Sequence, residues 1–494
     1  MSWTEGYVTD IGYSHGFCRE MAPAWIAFAL LLRGLRPPAH EAGFAFAELG
    51  AGQGFGTNLL AAANPQARFW ANDFNPAHAA GAIALAEAGG LANLDFTDES
   101  FAEVLAGPPR RFDLIALHGV YSWISPENRA VLRRLLARSL KPGGAVYIGY
   151  NALPGWSAIQ PLRRLMLEHA GAAVGPTERR IAGAVDFASA MARLNARFFA
   201  ANPAAAQRLE RLAGSAPSYL AHEYFNRDWH PLYFADVARE LAEAKLDFAG
   251  SAVFADHLAR PALPAEAVAL LDRVPDALAR ETARDFFTNQ PFRRDLFVRG
   301  APPLPPGERR LWLGRQRFAL VAPPEALPDS VTLPLGDLDL PAATYRPLVE
   351  RLAAGPQVLD DLAAGTGLDF DAALEAAIVL CAIGLAAPAL PAAGEATRRE
   401  AAARFNAAVQ DAARHGGERE ALASPVLGGG VAVPRLELLF LLAGREGADP
   451  AAFALSILGP PPGMTAEAAL DGLRRRAAAF AATRRPLLAG LGIA

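Results

Sequence analysis

The sequence predicts an α/β protein built on a parallel sheet with helices on both faces. Between Phe44 and Asn151, short apolar runs alternate with helix-length amphipathic runs, a pattern typical of parallel strands joined by crossover helices. The chain has 494 residues, of which 52% are hydrophobic and 20% are charged, so it can bury a large core. This composition excludes a disordered or fibrous protein.

Five apolar runs are the predicted strands, and the segments between them are the predicted helices. The strands cover residues 44–49, 68–73, 93–97, 112–118 and 145–151, and the helices lie near 57–63, 77–89, 99–106 and 126–139. The sequence LKPGG at 140–144 predicts the end of the last helix followed by a turn, because Pro142 and the two glycines cannot continue a helix.

Downstream of this region the pattern becomes helical. Residues 156–213 predict an inserted helical cap, which is followed by a helix at 232–245 and a strand at 246–254. A further strand at 294–300 is expected to pair with that strand and to finish the sheet at its edge. Four prolines between 302 and 306 then predict a linker, since this stretch cannot hold a helix or a central strand.

The C-terminal third predicts two mainly helical units. Three short helices within 343–390 have the spacing of a winged-helix unit, but the third carries acidic residues and no lysine or arginine. An acidic helix does not suit a phosphate-lined groove, so we interpret this unit as a packing or protein-contact module. Residues 396–494 are predicted to be mostly helical, with breaks at GGG (428–430) and PPPG (460–463).

Charge, cysteine content and hydropathy exclude several classes of function. The net charge of −4 gives no electrostatic footprint for nucleic-acid binding. Cys18 and Cys381 lie far apart without metal-ligand spacing, which excludes a disulfide-built scaffold and fits a reducing cytosol. The N-terminus lacks a signal-peptide pattern, and the apolar run at 24–32 is about half as long as a membrane span. We therefore expect a cytoplasmic protein with no transmembrane segment and no metal ion.

A glycine-rich turn after the first strand predicts a nucleotide-type site. Gly50, Gly52 and Gly54 let the backbone turn sharply and approach a ligand at the start of a helix. The dinucleotide pattern GxGxxG fails in both registers, and the phosphate-binding pattern GxxxxGK[ST] is absent. Glu48, just ahead of the turn, would repel a pyrophosphate and attract a cation. These residues favour S-adenosylmethionine, with its cationic sulfonium, over NAD or ATP.

Acidic residues follow the next two strands and strengthen this prediction. Asp73 ends the second strand, where a carboxylate can accept both ribose hydroxyls of a nucleoside. Asp98 and Ser100 follow the third strand, where side-chain and backbone groups can contact the edge of an adenine.

Together these motifs resemble the class I S-adenosylmethionine-dependent methyltransferases. The resemblance rests on E-x-G-x-G-x-G, the two acidic residues and LKPGG, over residues 44–151. Further segments resemble the bacterial methyltransferases that carry a methyltransferase regulatory domain, a group that includes rickettsial-type protein-lysine methyltransferases of outer-membrane proteins. These segments are YVTDIGYSHGFCRE from Tyr7, LHGVYSWISPENR (117–129), YNALPGW (150–156) and HEYFNRDWHPLYF (222–234).

The resemblance implies a Rossmann-like class I methyltransferase sheet with a helical insertion, followed by mainly helical C-terminal domains, one of them winged-helix-like. The expected divisions are an N-terminal lid at 1–40, a methyltransferase domain at 41–300, a winged-helix-like domain at 301–390 and a helical domain at 391–494. Within the methyltransferase domain, the insertion covers about 155–217 and a regulatory-domain-like segment about 218–300. The resemblance also suggests a homodimer.

The resemblance further implies a set of cofactor-binding residues. Glu48 and the three glycines would surround the methionine part of the cofactor. Asp73 would hold the ribose, and Phe74 would flank the adenine. Asp98 and Ser100 would contact the adenine edge, and His118 and Gly119 would lie beside the sulfonium. Tyr7 and Tyr13 are expected to fold over the site as a lid, with Tyr13 among the cofactor-binding residues.

Methyl transfer is an in-line displacement at a cationic sulfonium, so catalysis needs alignment, exclusion of water and an uncharged nucleophile. Aromatic faces and carbonyl oxygens attract positive charge without competing as nucleophiles. The predicted catalytic residues are Tyr121 and Trp123 after the fourth strand, and Tyr150 and Asn151 at the end of the fifth. The last two form a polar pair that we expect to face the crevice at the switch point of the sheet.

Three functions remain open at this stage. The leading hypothesis is a methyltransferase that acts on a protein amine such as lysine. The alternatives are a methyltransferase that acts on a small molecule or natural product, and a regulatory protein that binds the cofactor without catalysis. A protein substrate needs an open, acidic cleft, whereas a small molecule needs a closed apolar pocket.

Overall fold

A seven-stranded mixed sheet organises the first 300 residues of the chain. The computed structural model describes residues 7, 15–40, 42–258, 263–333 and 336–494. The strands of this sheet are β1 (Ala45–Leu49), β2 (Arg68–Asn72), β3 (Leu94–Thr97), β4 (Phe112–His118), β5 (Leu140–Asn151), β6 (Asp247–Ser251) and β7 (Phe292–Val298).

The strand order is β3-β2-β1-β4-β5-β7-β6. The first five strands are parallel, and β7 runs antiparallel to both β5 and β6. The prediction that the strand expected at 294–300 pairs with its predecessor is confirmed, but its predicted place at the edge is wrong, because β7 lies between β5 and β6 and β6 forms the edge. Since β1 lies between β2 and β4, their carboxyl ends meet at one edge of the sheet. This is where parallel α/β sheets place ligands.

Helices cover both faces of the sheet. They are α1 (Pro23–Leu32), α2 (Phe55–Ala63), α3 (Pro76–Ala88), α4 (Phe101–Ala106) and α5 (Pro126–Ser139). Local sequence explains several of their starts. The side chain of Asn75 caps α3, Ser100 and Glu103 form a capping box at α4, and Ser125 caps α5.

The segment LKPGG departs from its prediction. Helix α5 ends at Ser139 as expected, but residues 140–144 continue directly into β5 instead of forming a turn. The pairing of β4 with β5 shifts register between Phe112 and Leu114, and Gly143 has a φ of +79°. A strand with such an irregularity can accommodate proline and glycine without leaving the sheet.

A helical insertion follows β5, in agreement with the predicted cap. Its helices are α6 (Gln160–Ala172), α7 (Thr177–Arg193), α8 (Arg197–Ala201), α9 (Pro203–Leu212) and α10 (Pro217–Tyr224). They bury a separate apolar cluster that includes Leu162, Met166 and Trp229. After the insertion come α11 (Phe234–Ala242), α12 (Ala265–Leu271) and α13 (Ala277–Thr288), the last two between β6 and β7.

The proline-rich stretch is shorter as a linker than predicted, because α14 (Pro306–Gly314) begins within it. Proline suits the first turn of a helix, where its missing N–H has no intrahelical acceptor. The elements that follow are β8 (Arg317–Leu320), β9 (Ser330–Leu333), β10 (Gly336–Asp339), α15 (Ala342–Ala353), β11 (Gln357–Val358), α16 (Leu359–Thr366), α17 (Phe370–Ala382) and β12 (Ala386–Ala389).

Helices α15 to α17 are the three helices predicted for the winged-helix-like unit, and a small antiparallel sheet of β11, β8 and β12 accompanies them. The acidic helix α17 buries its apolar face, including Ala376 and Val379, in the same core as α1 and α2. The sequence left a packing role and a protein-contact role open for this unit, and the burial of α17 is the arrangement that a packing role requires.

The C-terminal segment contains a hairpin that the sequence analysis missed. The hairpin is β13 (Ala421–Ser424) with β14 (Gly429–Ala432), and it lies among α18 (Glu395–Ala412), α19 (Arg435–Glu446), α20 (Pro450–Leu458), α21 (Ala466–Ala479) and α22 (Arg485–Gly490). The glycines at 428–430 therefore form part of a hairpin and do not merely interrupt helices.

This hairpin packs against the helix that follows the glycine-rich turn. The Asn64 side chain at the end of α2 donates a hydrogen bond to the carbonyl of Gly428 at 2.8 Å. A Cβ added at Gly430 would lie 2.8 Å from the ring of Phe17 and 2.9 Å from Leu59 on α2. The C-terminal segment thus supports α2 from outside the sheet. None of the helices within the described ranges is long and apolar enough to cross a membrane.

We predict opposite effects for the same substitution at two glycines. Gly430→Ala should lower the free energy of unfolding by about 1–3 kcal/mol, because the added methyl overpacks the contact with Phe17 and Leu59. Gly472→Ala, inside α21 with no atom near its added Cβ, should raise it by about 0.5–1 kcal/mol. Calorimetric unfolding of both variants measures these two changes in the free energy of unfolding. A stabilised Gly430→Ala variant would contradict the packing of Gly430 against Phe17 and Leu59.

Candidate cofactor and methyl-transfer site

A cavity of about 400 Å³ opens at the carboxyl ends of β1, β2 and β4. It brings together most of the residues that the sequence assigned to cofactor binding, and one of those assigned to catalysis. These lining residues are Glu48, Gly50, Gly52, Gly54, Asp73, Phe74, Ser100, His118, Gly119 and Trp123. Residues separated by 75 positions in the chain therefore line a single cavity.

The glycine-rich turn adopts a backbone that side chains would obstruct. Gly50 and Gly54 have φ values of +71° and +66°, in the left-handed region. A Cβ at Gly50 would lie 2.7 Å from Val120, and one at Gly54 would lie 2.5 Å from Ala82. The turn leads directly into α2, so the free N–H groups at the start of that helix lie at the cavity.

Asp73 fastens this turn to the end of β2. One of its carboxylate oxygens accepts a hydrogen bond from the N–H of Gly52 at 2.8 Å. The other accepts from the N–H of Asn75 at 3.1 Å and lies 3.1 Å from Nδ1 of His78. The carboxylate is buried but lines the cavity, so it both shapes the turn and faces the ligand space.

Glu48 places a buried carboxyl group at the base of the cavity. The hydroxyl of Thr57, in the first turn of α2, donates a hydrogen bond to it. Burial raises the pKa of Glu48 to about 7, and the negative charge of Asp73 acts in the same direction against the hydrogen bond from Thr57. A carboxyl group with this pKa loses its proton readily near neutral pH when a cation lies beside it.

The cavity is lined on another side by groups suited to a purine. Phe74 follows Asp73, and the ring of Tyr7 lies 5.9 Å from its ring in an edge-on arrangement. Ser100 and Phe101 begin α4 at the cavity wall. Asp98, by contrast, is exposed and does not line the cavity. Its predicted contact with the adenine edge is therefore without geometric support, because the chain turns into α4 after it.

His118 ends β4 at the cavity and is held from behind. Its Nδ1 lies 2.9 Å from the hydroxyl of Tyr147, and the ring of Phe292 lies 5.5 Å from its ring. Burial, and secondarily the charge of Arg294, lower the pKa of His118 to about 4. The imidazole that faces the cavity is therefore neutral at physiological pH.

Comparisons with known proteins agree with this geometry. Residues 47–146 match the family model described as "Methyltransferase domain", and residues 216–299 match "Predicted methyltransferase regulatory domain". An uncharacterized protein of Synechocystis, sll1526, is 41% identical over an alignment that covers all of both chains. The chain belongs to the class I S-adenosylmethionine-dependent methyltransferases with a regulatory domain.

More distant relatives of the methyltransferase come from Rickettsia. An uncharacterized protein of Rickettsia prowazekii, RP789, is 28% identical over 49% of this chain and 44% of its own length. The structure of PKMT2 from Rickettsia typhi in complex with AdoHcy superposes with a TM-score of 0.70 at 18% identity, over 94% of this chain and 96% of that one. At that level of identity the likeness establishes the shared fold.

The residues of the cavity fit S-adenosylmethionine, the cofactor of this methyltransferase. The positive-φ turn leaves space where any Cβ would intrude, and a buried carboxyl group lies beside that space. Asp73 presents a second carboxylate at the end of β2, and Phe74 presents an aromatic ring. Within the described ranges, no group of three or more His, Cys, Asp or Glu side chains is arranged to hold a metal ion.

Three of the four predicted catalytic residues lie outside the cavity. The hydroxyl of Tyr150 donates to Asp295 at 2.7 Å, and that of Tyr121 donates to Glu240 at 2.5 Å. Asn151 is buried, and its backbone N–H donates to the hydroxyl of Ser122 at 2.9 Å. The expectation that Tyr150 and Asn151 face the crevice is wrong in placement.

Strand geometry explains the placement of Tyr150. Successive side chains of a strand point to opposite faces of the sheet. Tyr150 shares its face with Ile148, in the apolar core that also contains Phe234 of α11. Only Trp123 of the predicted catalytic set lines the cavity. Tyr13 lies outside the described residues.

The cavity also contains residues that the sequence analysis did not single out. Asn128, Asn226 and Asp228 line it, as do Phe17 and Cys18 from the N-terminal segment. The first three lie in the segments SPENR and HEYFNRDW, which carried the family resemblance. Because these segments carry the family resemblance, their polar residues could have been proposed as site residues. Their spacing in the sequence does not show that the folded chain brings them to the glycine-rich turn.

We predict that Asp73→Asn lowers the affinity for S-adenosylmethionine about 10–100-fold, because hydrogen bonds to a charged carboxylate contribute about 1.5–3 kcal/mol. The amide also cannot accept all the bonds that hold Gly52 and Asn75. Titration calorimetry measures the change. Asp95→Asn, at an exposed position on β3, is the matched control and should bind like the parent. Equal affinities would remove the ribose assignment of Asp73.

We predict that cofactor affinity depends on the ionisation of Glu48. Because burial raises its pKa from 4.5 to about 7, Glu48 makes the unfolding free energy fall as pH rises through that interval. A bound cation favours the carboxylate, so affinity for S-adenosylmethionine should rise by up to about tenfold per pH unit below pH 7 and then level off.

Calorimetry in buffers of different ionisation enthalpy should detect the accompanying proton release. Glu48→Gln should abolish both the release and the pH dependence. Glu87→Gln, at an exposed position on α3, should retain both. A pH-independent affinity in the parent protein would contradict the role of Glu48.

Proposed function

We propose that the methyl acceptor is a protein amine, the side chain of lysine. The observation that supports this most directly is Asp228, which lines the cavity with 20% of its side-chain surface exposed. The exposed Arg227 binds its Oδ2 at 2.7 Å, which leaves Oδ1 for the methyl acceptor. Trp123 lines the same cavity. A carboxylate and an aromatic face together attract an ammonium group, which lysine presents before it loses its proton.

The cofactor-binding role is assigned to the glycine-rich turn with Glu48, Asp73, Phe74 and Ser100. S-adenosylmethionine supplies a methyl group bonded to a cationic sulfur. The turn and the start of α2 provide backbone N–H groups for anionic or polar parts of the ligand. Glu48 provides negative charge, and Asp73 provides acceptors for hydroxyl groups.

Trp123 is the aromatic wall that this chain offers to the acceptor. Its ring lies 6.0 Å from that of Trp229, which lies 5.1 Å from that of Trp156 in an edge-on arrangement. Trp156 in turn donates a hydrogen bond to the carbonyl of Pro291 at 2.7 Å, and the guanidinium of Arg163 covers Trp229. The helical insertion thereby fixes the position of Trp123, and a fixed wall excludes water and aligns the amine.

The family relationship supports the same acceptor. The sequence motifs resemble a group that includes protein-lysine methyltransferases, and PKMT2 of Rickettsia typhi shares the fold. The homodimer and the four domain divisions that the resemblance implies are likewise proposals.

Labelling a bacterial lysate tests the proposed acceptor. The purified protein is incubated with S-adenosylmethionine carrying a radioactive methyl group, and labelled protein is hydrolysed to identify methyl-lysine. Label in lysine is the expected result. Label confined to small molecules would establish the first alternative, and no transfer would favour the cofactor-binding regulatory protein.

We predict that Asp228→Asn lowers labelling of lysate protein about tenfold, since a charge-assisted contact to the ammonium is lost. The affinity for S-adenosylmethionine should stay within about twofold, because the cofactor is assigned to other residues. Asp236→Asn, an exposed carboxylate paired with Arg239 on α11, is the matched control. A loss of cofactor affinity equal to the loss of labelling would instead place Asp228 in cofactor binding.

A further inference from the structure

Four side chains form a continuous hydrogen-bonded chain that ends at the cavity. The thiol of Cys18 lies 3.1 Å from a carboxylate oxygen of Glu20 and 3.5 Å from the hydroxyl of Tyr147. That hydroxyl lies 2.9 Å from Nδ1 of His118. We call these residues the Glu20–His118 chain. Tyr147 is fully buried, whereas Cys18 and His118 both line the cavity.

The direction of every hydrogen bond in this chain follows from its first member. Burial acts to raise the pKa of Glu20, but Arg294 and the hydrogen bond from Cys18 hold it below its ordinary value. Glu20 is therefore a carboxylate, which can only accept hydrogen bonds. Burial raises the pKa of Cys18 to about 12, so Cys18 is a thiol with one proton, and it donates that proton to Glu20.

The remaining bonds must then point the same way. With its proton committed to Glu20, the sulfur of Cys18 can only accept from the hydroxyl of Tyr147. Burial also raises the pKa of Tyr147 well above its ordinary value, so the hydroxyl keeps the proton that it donates. Its oxygen therefore accepts from His118, which must carry its proton on Nδ1. The chain selects one of the two neutral tautomers of the imidazole.

In this tautomer the other ring nitrogen of His118, Nε2, carries no proton and has a lone pair that can accept a hydrogen bond. The hydrogen bond that the imidazole makes with the described residues is at Nδ1. The ring is held by the stacked ring of Tyr147 at 5.9 Å and by Phe292. The charged groups that act on it are Arg294 on β7 and Glu20, and the imidazole stays uncharged between them.

We propose that Nε2 of His118 accepts a hydrogen bond from an N–H of the methyl acceptor and so directs the lone pair of the acceptor nitrogen toward the transferred methyl group. This inference rests on the proposed amine acceptor and adds its required form, an uncharged nitrogen that still carries a hydrogen. Glu20, Cys18 and Tyr147 act as positioning residues through His118. The ammonium proton is lost to water before the amine binds at Nε2, and no proton is transferred to the imidazole. In the transfer the N–C bond would form as the C–S bond breaks, the sulfur would leave as a neutral thioether, and the nitrogen would keep its hydrogen and take the positive charge. A neutral acceptor also avoids repulsion of a nearby sulfonium.

The tautomer can be measured without any methyl acceptor. Long-range proton–nitrogen NMR correlation of protein labelled with ¹⁵N-histidine distinguishes Nδ1–H from Nε2–H, and His118→Gln identifies the signal. We expect the Nδ1–H form in the cofactor-free parent protein at neutral pH. An Nε2–H form or a doubly protonated ring would overturn the proposal.

Two substitutions at Cys18 test the direction of the chain. Cys18→Ser retains a hydroxyl that donates to Glu20 and accepts from Tyr147, so the Nδ1–H signal should persist. Cys18→Ala leaves the hydroxyl of Tyr147 free to donate to Nδ1, so the population of Nε2–H should increase. An unchanged tautomer in Cys18→Ala would show that the chain does not control His118.

Transfer rates then test the consequence for the reaction. Cys18→Ala should lower the rate of label transfer from saturating S-adenosylmethionine to lysate protein about tenfold or more, as expected for a lost positioning hydrogen bond, and Cys18→Ser should lower it less. Calorimetric affinity for S-adenosylmethionine separates this effect from cofactor loss. A tautomer change without any change in this rate would overturn the positioning role. A failure of the lysine assignment alone would leave the NMR result intact, so the two proposals fail separately.

Discussion

The hydrogen bond from the N–H of Gly52 to Asp73 joins the turn after β1 to the end of β2, and the geometry of the cavity depends on it. A turn with left-handed glycines has many alternative conformations in the unfolded chain, so it needs an external partner to hold one of them. Asp73 is that partner. Because the same carboxylate faces the cavity, the group that shapes the turn also contacts the ligand space.

The helix that follows the turn is supported from its far side by the C-terminal segment. Phe405 of α18 lies near Phe55 at the start of α2, and the hairpin of β13 and β14 contacts Asn64 at its end. The close approach of Gly430 to Phe17 extends this support to the cavity wall. One continuous apolar core includes residues of α1, α2, α17 and α18, so substitutions far from the cofactor can shift its binding surface.

Electrostatics divide the cavity into groups with different charge behaviour. Glu48 is buried enough to titrate near neutrality, whereas His118 is buried enough to remain neutral. Both effects arise from desolvation, which disfavours the charged form of each group. This combination suits the proposed reaction. Glu48 can become negatively charged when the cationic sulfur binds, and His118, which is assigned to the uncharged acceptor, stays neutral.

Much of the fold could be predicted from local patterns. The five parallel strands, the helices between them and the insertion follow from apolar periodicity and from capping residues that act within a few positions. The path of LKPGG and the hairpin at 428–430 could not be predicted, because a strand irregularity and a hairpin are stabilised by partners distant in sequence.

The candidate site divides in the same way. By itself, the sequence determined the glycine-rich turn, Glu48 and Asp73, because a required backbone conformation and a required charge leave a local trace. Only the tertiary structure decided that Tyr150 faces the core and that Asp228 and Cys18 reach the cavity. The reason is that the direction of a side chain depends on strand pairing and on packing across hundreds of residues, which no local pattern records.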